Sequence, residues 1–327
     1  MNVKKNTKKI PKISIIIPVY NKEEHLRQCL NSIVNQTFDD IEIVCVNDGS
    51  TDASLDILNE YSEKYSNLII INQKNKGVNG ARITGYNNST GDYIAWVDAD
   101  DFIENNMYEK MYKLASQNDA DVVICNYNFY PTHIKTKEKW YKPYTGKIDW
   151  KFLLYNTIQW NKIVKRSLLN KLDIAELFSK VGEGCYSLVL INANNISTTD
   201  ECLYNYRVGH SSLSTNFNNI EWYKATVSRA LCKYKYVKKK KYDLEWQNFF
   251  KYVYLRYALI LLLISAFNNN MQLYLENKKI LKENNFFDGC YDEYLIEDFS
   301  RIKLFAFKNI FSKSFVLTKI ATKIYFK

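Results

Sequence analysis

Only 4 prolines and 10 glycines occur in 327 residues, which excludes a collagen-like chain and an extensively disordered one. Histidine is rarer still, at three (His25, His133 and His210), so zinc chemistry based on His and Cys has little to draw on. The seven cysteines (Cys29, Cys45, Cys125, Cys185, Cys202, Cys232 and Cys290) form no Cys-x-x-Cys pair. They are odd in number and mostly sit in apolar runs such as Ile43-Val44-Cys45-Val46, the pattern of buried thiols in a reducing compartment. Long apolar runs are missing as well. The longest, Tyr257 to Phe267, has eleven residues, short of the roughly 20 that cross a bilayer as a helix. Met1 to Lys9 is basic and polar and leads into a strand rather than an apolar segment with a cleavage site, so no signal peptide is expected.

Aromatic residues are abundant at 15%, 26 of them Tyr, and the chain is long enough for one large domain or two moderate ones. The net charge of +10, from 45 Lys and Arg against 35 Asp and Glu, is unevenly placed. Residues 301–327 hold seven basic residues and no acid, interleaved with aromatic and aliphatic ones. Such a tail suits an anionic membrane surface, with a terminal helix docked on the protein as the alternative. Nucleic acid is not expected, since no recognition motif accompanies the charge.

Ile13 to Val19 is a nearly continuous β-branched run, as in a strand buried on both faces. Asn21 then offers a helix cap, with Leu26, Leu30 and Ile33 at helical spacing. Further strands are expected at Ile41 to Val46, Leu68 to Ile71, Tyr93 to Val97 and Asp121 to Cys125, with helices between them. From Asn126 to Gly146 the pattern is lost, consistent with a loop or hairpin. Ile158 to Leu169 reads as helical near its end, and Leu203 to Arg207 as a last strand. The expected fold class is α/β, a mostly parallel sheet flanked by helices, followed by an α-helical C-terminal region. A boundary is placed near residue 216, giving domains 1–215 and 216–327. Ligands of such sheets bind beyond the carboxyl ends of the strands, where Asp48 and Asp98 both stand.

Asp98-Ala99-Asp100-Asp101 puts three carboxylates within four positions after a strand. Their mutual repulsion calls for a cation, most simply a divalent metal with oxygen ligands. The same residues could instead cap the helix that follows. A nicotinamide oxidoreductase is excluded because no Gly-x-Gly-x-x-Gly follows the first strand; Asn21-Lys22-Glu23 occupies that turn.

Ser14 to Asn21 (Ser-Ile-Ile-Ile-Pro-Val-Tyr-Asn), Val46 to Asp52 (Val-Asn-Asp-Gly-Ser-Thr-Asp), Asn75-Lys76-Gly77 with Ala81-Arg82, and the acidic cluster resemble, in order and spacing, the family 2 inverting glycosyltransferases of the GT-A fold. Trp160-Asn161-Lys162 and Tyr204 to Arg207, then Ser212 to Ser214, resemble the members that build bacterial capsule, teichoic acid or lipopolysaccharide glycans. The resemblance covers roughly residues 11 to 215. It implies transfer of a sugar from a nucleotide-sugar donor, UDP-linked by preference, to a glycan or lipid-linked glycan acceptor, with Mn²⁺ or Mg²⁺. It places Pro18, Tyr20 and Asp48 on the nucleoside, Arg82 on the diphosphate or sugar, Asp98 on the donor and Asp100 on the metal, with Asp101 beside it. His210 becomes a second candidate metal or diphosphate ligand, and Trp160 an acceptor-side stacking residue. The implied location is cytoplasmic, peripheral at the inner face of the membrane. The chain departs from the family pattern where the catalytic base is expected: Val181-Gly182-Glu183-Gly184 puts Gly at the base position. Glu183 is the nearest carboxylate and the candidate base, with Asp200 or the acceptor as alternatives. A non-catalytic donor-binding or scaffolding subunit is the rival reading.

Overall fold

The computed structural model describes residues 10–131, 143–155, 157–208 and 220–286, together with Tyr291, Tyr294 and Thr318. The chain divides into two units, Met1–Ile148 with Asn156–His210, and Asp149–Tyr155 with Ser211–Lys327.

In the first unit, β1 (Ile13–Val19), α1 (Glu23–Val34), β2 (Ile41–Asn47), α2 (Ser54–Lys64), β3 (Leu68–Asn72), α3 (Gly77–Asn87) and β4 (Tyr93–Trp96) alternate along the chain. Ile13, Ile15, Ile16, Ile17 and Val19 are fully buried, because helices cover both faces of β1 and polar alternation would strand charges in the core. α1 buries Leu26, Cys29, Leu30 and Ile33, the stripe its spacing dictates. Where α3 crosses β1, a Cβ on Gly85 would overlap the Ile16 side chain, so the glycine sets the distance at which this helix lies on the sheet.

The unit continues with β5 (Phe102–Ile103), α4 (Met107–Asn118), β6 (Val122–Tyr130) and β7 (Tyr144–Gly146). In the second unit, α5 (Trp150–Tyr155) follows. The first unit resumes with β8 (Lys162–Lys165), α6 (Arg166–Leu172), α7 (Ile174–Val181), a 3-10 turn (Gly182–Cys185), α8 (Tyr186–Asn192) and β9 (Ile196–Arg207). The sheet order is β3-β2-β1-β4-β8-β6-β9-β5, with β7 paired to β9. β8 is antiparallel to both β4 and β6, and β6 is parallel to β9. β1, β2, β3, β4, β6 and β9 therefore share one direction, opposed by β5, β7 and β8, and a single rim collects the carboxyl ends of β1, β2 and β4.

Three expectations change. Asn21 does not cap α1: it is left-handed, with φ at 49°, and its Oδ1 accepts from the Thr51 amide at 2.8 Å, sewing the loop after β1 to the loop after β2. The segment expected to be helical near its end is so from Arg166, in α6, but an unforeseen strand precedes it: β8, Lys162-Ile163-Val164-Lys165, is held by hydrogen bonds to the strands on both sides. The segment read as patternless from residue 126 extends β6 to Tyr130, paired with β9 as far as Arg207.

The second unit holds α9 (Ile220–Lys239), α10 (Leu244–Phe267) and α11 (Met271–Glu283). Trp150 on α5 packs against Phe249 and Tyr294, which is what joins residues 149–155 to this unit. α10 corrects the count of apolar run length. Its 24 residues are long and apolar enough to cross a membrane by length and composition, although its eleven-residue run alone is not, and 67% of the most apolar stretch is buried. The basic tail, apart from Thr318, lies outside the described residues.

Candidate active site

The rim above β2, β1 and β4 collects the expected donor residues. Pro18, next to last in β1, lies opposite Val46, and Tyr20, just beyond the strand, is 48% exposed. Asp48 follows β2 and is buried; its Oδ1 accepts from Gln73 Nε2 at 2.6 Å and from the Lys76 amide at 2.8 Å. Thr84 Oγ1 donates to Gln73 Oε1 at 2.7 Å, so a side-chain relay anchored on α3 fixes the carboxylate. Asp48 does not cap α2, which begins at Ser54, whose amide is held instead by Asp52 at 3.0 Å.

The acidic cluster does not cap a helix either: α4 starts at Met107 with Asn106 at its N-cap. Each carboxylate has its own partner instead. Arg82 is 1% exposed and donates from Nη2 to Asp98 Oδ1 at 2.7 Å. The Gln159 amide, with its oxygen turned to the guanidinium, accepts from Nη2 and Nη1 at 2.7 and 2.9 Å. Lys22 Nζ lies 2.5 Å from Asp100 Oδ2. Asp101 is buried, with Oδ2 accepting from Tyr204 Oη at 2.7 Å and Oδ1 from the Arg207 amide at 2.7 Å. Burial first, then the Asp98 charge, pushes the Asp101 carboxyl well above the usual carboxylate range. Arg207 also donates from Nε to the Asp100 carbonyl at 2.8 Å and from Nη2 to Gln28 Oε1 at 2.5 Å, with its guanidinium over the Tyr130 ring. Close by, burial and then the Arg207 cation hold His25 below the usual imidazole value.

Among the described residues, no group of three or more His, Cys, Asp or Glu side chains is arranged to hold a metal. The donors that face the site are hard carboxylate oxygens, Asp100 with its side chain 15% exposed and Asp98 27% exposed. This set fits an ion such as Mg²⁺, which takes one or two carboxylates and fills its remaining positions with substrate phosphate and water.

Two expected residues sit differently. Trp160 is no acceptor-side platform: it is 8% exposed, stacked on Tyr204 at 4.3 Å and Tyr206 at 5.4 Å, and belongs to the sheet core, because an indole inside an aromatic cluster gains more from packing than from solvent. Arg82, expected on the diphosphate or the donor sugar, is buried and donates to Asp98 and Gln159. Glu183 lies in the turn Gly182–Cys185, entered through Gly182 at φ 61°, but its side chain and all of His210 and Ser212–Ser214 lie outside the described residues. Asp200 is exposed earlier in β9, the strand that brings Tyr204 and Arg207 to the cluster. Sequence reasoning missed Lys22, Gln73 and Arg207 as site residues. Only Arg207 had a signal, as the end of an aromatic strand segment.

Residues 14–173 match Glycosyl transferase family 2. The glycosyltransferase GlyA of Streptococcus pneumoniae serotype 4 is 37% identical over 219 residues, covering 62% of this chain and 31% of that protein. The chain thus spans under a third of that relative's length. The crystal structure of residues 1–349 of S. aureus TarS in complex with UDP-GlcNAc superposes with a TM-score of 0.60 at 20% identity, covering 81% of this chain and 89% of that one. The mannosyltransferase PcManGT from Pyrobaculum calidifontis, in complex with GDP-Man and Mn²⁺, does so at 0.55 and 12% identity, covering 98% and 89%. These structural likenesses establish the fold. The likeness to glycosyl transferase family 2 is carried by residues 14–173, just under half of the chain.

Proposed function

We propose that the chain is an inverting glycosyltransferase that moves one sugar from a UDP-sugar donor to a glycan or lipid-linked glycan acceptor in bacterial surface polysaccharide synthesis. The observation that carries the reading is the convergence of Asp48, Asp98 and Asp100 on one rim, with every carboxylate fixed by a named partner before a donor arrives. UDP as the nucleotide is supported by the likeness to a fold that holds UDP-GlcNAc in TarS.

Asp48, held by Gln73 and the Lys76 amide, is placed to accept from the base or ribose, with Pro18 and Tyr20 along the same edge. Asp98, oriented by Arg82, accepts from the ribose or sugar hydroxyls. Asp100 is the residue that would hold Mn²⁺ or Mg²⁺, with His210 a second candidate. When bound, the cation supplies Lewis-acid neutralisation of the diphosphate on which negative charge develops. Lys22 and Arg207 contribute two more positive groups beside it. Asp101, buried against Tyr204 and the Arg207 amide, holds β9 to the cluster. Glu183 takes the acceptor proton from the turn that Gly182 opens, as the acceptor oxygen attacks opposite the leaving group. The basic tail, residues 301–327, keeps the protein at the cytoplasmic face of the membrane.

The test is a panel of nucleotide sugars with purified protein and Mn²⁺, following donor hydrolysis and transfer. Turnover of one UDP-sugar, lost in Glu183→Gln with UDP binding kept, is the expected result. UDP binding without turnover of any donor would favour a non-catalytic donor-binding subunit. Normal turnover by Glu183→Gln would remove that residue as the base.

A further inference from the structure

The helical unit carries a cationic tip that the transferase chemistry does not use. From Trp222 to Tyr242 there are eight Lys or Arg and no acid, ending in Lys238-Lys239-Lys240-Lys241, all exposed. Lysines are favourable at a helix C-terminus, where the dipole is negative, but that effect fades within a turn and does not call for four in succession.

The geometry of the turn is informative. The Tyr242 amide donates to the Val237 carbonyl at 3.1 Å, and the Lys241 amide to the Lys238 carbonyl at 3.2 Å, the pair of bonds that closes a helix through a left-handed residue. That residue is Lys241, at φ 56°, where Gly or Asn is normally favoured. A cationic side chain therefore stands at a position whose backbone favours Gly or Asn. Directly after the lysines, Leu244 at the start of α10 is 71% exposed, flanked by the half-buried Tyr242 and Trp246. Asp243 at the N-cap and Glu245 in the first turn of α10 stand where acids compensate the dipole, and leave the tip with a net positive charge.

We propose that the α9–α10 turn, Lys238 to Trp246, is a docking surface for an anionic lipid bilayer, with the lysines on the headgroups and Leu244 entering the acyl boundary between Tyr242 and Trp246. The apolar member decides the partner: an exposed leucine between amphipathic aromatics gains from a bilayer interface and gains nothing from a soluble polyanion. This rests on membrane association but not on the tail, and the two contacts are separable by experiment.

Full-length protein is titrated with vesicles of phosphatidylcholine alone and of phosphatidylcholine mixed with phosphatidylglycerol, and bound protein is measured by co-sedimentation. A lysine near an anionic surface contributes about a fivefold change in affinity, so Lys238→Gln, Lys239→Gln, Lys240→Gln and Lys241→Gln together lower binding to the mixed vesicles by about a hundredfold or more. Replacing all four by Arg retains binding, Leu244→Ser weakens it without changing charge, and removing residues 301–327 leaves the lysine-dependent part intact. If the quadruple Gln variant misfolds by circular dichroism, Lys241→Gly, which relaxes the turn, still lowers binding by about fivefold. Wild-type binding by the quadruple variant, with loss only on removing the tail, would assign docking to the tail and overturn the proposal. Absence of vesicle binding by the full chain would overturn it too. So would soluble polyphosphate binding as tightly as vesicles with Leu244→Ser silent.

Discussion

Replacing Lys22 by Met is expected to raise the affinity of the nucleotide-free protein for Mn²⁺. The ammonium lies 2.5 Å from Asp100 Oδ2, with the two side chains 32% and 15% exposed. A cation that takes Asp100 as ligand must first separate this pair. Exposed pairs contribute 0.2–1 kcal/mol, and partial burial puts this one near the top of that range, about 1 kcal/mol. Removing the competitor therefore tightens Mn²⁺ binding by about fivefold. Withdrawing one positive charge from beside three carboxylates acts in the same direction. Isothermal titration with MnCl₂, or electron paramagnetic resonance of free Mn²⁺, reads the change without any turnover. Lys12→Met is the control, because its exposed pair with Asp92 is remote from the cluster. Unchanged or weaker Mn²⁺ binding in Lys22→Met, with the fold intact, would refute Asp100 as the metal position or Lys22 as its counterion.

Arg82→Ala leaves Asp98 without its buried partner. Breaking such a pair costs about 3–5 kcal/mol, and the partial exposure of Asp98 puts the loss near 3 kcal/mol in a denaturant titration; Arg82→Lys fails to restore it, lacking the fork that spans Asp98 and Gln159. Lys162 is fully buried on β8, with Nζ donating to Asn161 Oδ1 at 2.6 Å, and burial lowers it from 10.5 to about 7. The unfolded chain then binds more protons than the native one between those values, so wild-type stability rises with pH across that window. Lys162→Met should be the more stable protein at pH 7, by on the order of a few kcal/mol, and the difference should shrink towards pH 10.5; thermal melts at several pH values check both the sign and the window. Gln73→Leu removes the side-chain donor to Asp48 and leaves only the Lys76 amide on that oxygen, and should raise the KM for the nucleotide sugar about tenfold with kcat little changed.

β1, β2 and β4 were legible because a strand covered by helices on both faces must be apolar almost throughout, and Ile13 to Val19 can be little else; β3 was legible from its run of β-branched residues, although at the sheet edge it leaves Ile69 exposed. Asp48 and Asp98 were legible for a related reason, since each follows such a run and the parallel topology sends both to one rim. β8 was not, because Lys162-Ile163-Val164-Lys165 has no period of its own and is held by the strands on either side. The Asn21 cap failed through competition: an Asn that tolerates φ 49° can bond the neighbouring loop instead of the helix. The partners of the acidic cluster were hidden for a different reason. Lys22 meets Asp100 across 78 positions and Arg207 meets Asp101 across 106, and no local pattern encodes such pairs. Trp160 looked like a platform because an indole suits both a sugar and a core, and only the stacking of Tyr204 and Tyr206 separates the two.

The central claim is that the rim formed by Asp48, Asp98 and Asp100 holds a nucleotide-sugar diphosphate through a divalent cation. UDP binding measured by isothermal titration, with Mn²⁺ and with EDTA, for wild type and Asp100→Ala tests it most directly. Wild type should bind UDP in Mn²⁺ and lose most of that affinity in EDTA, while Asp100→Ala should bind weakly and equally in both. Equal, Mn²⁺-dependent binding by the two proteins would contradict the claim.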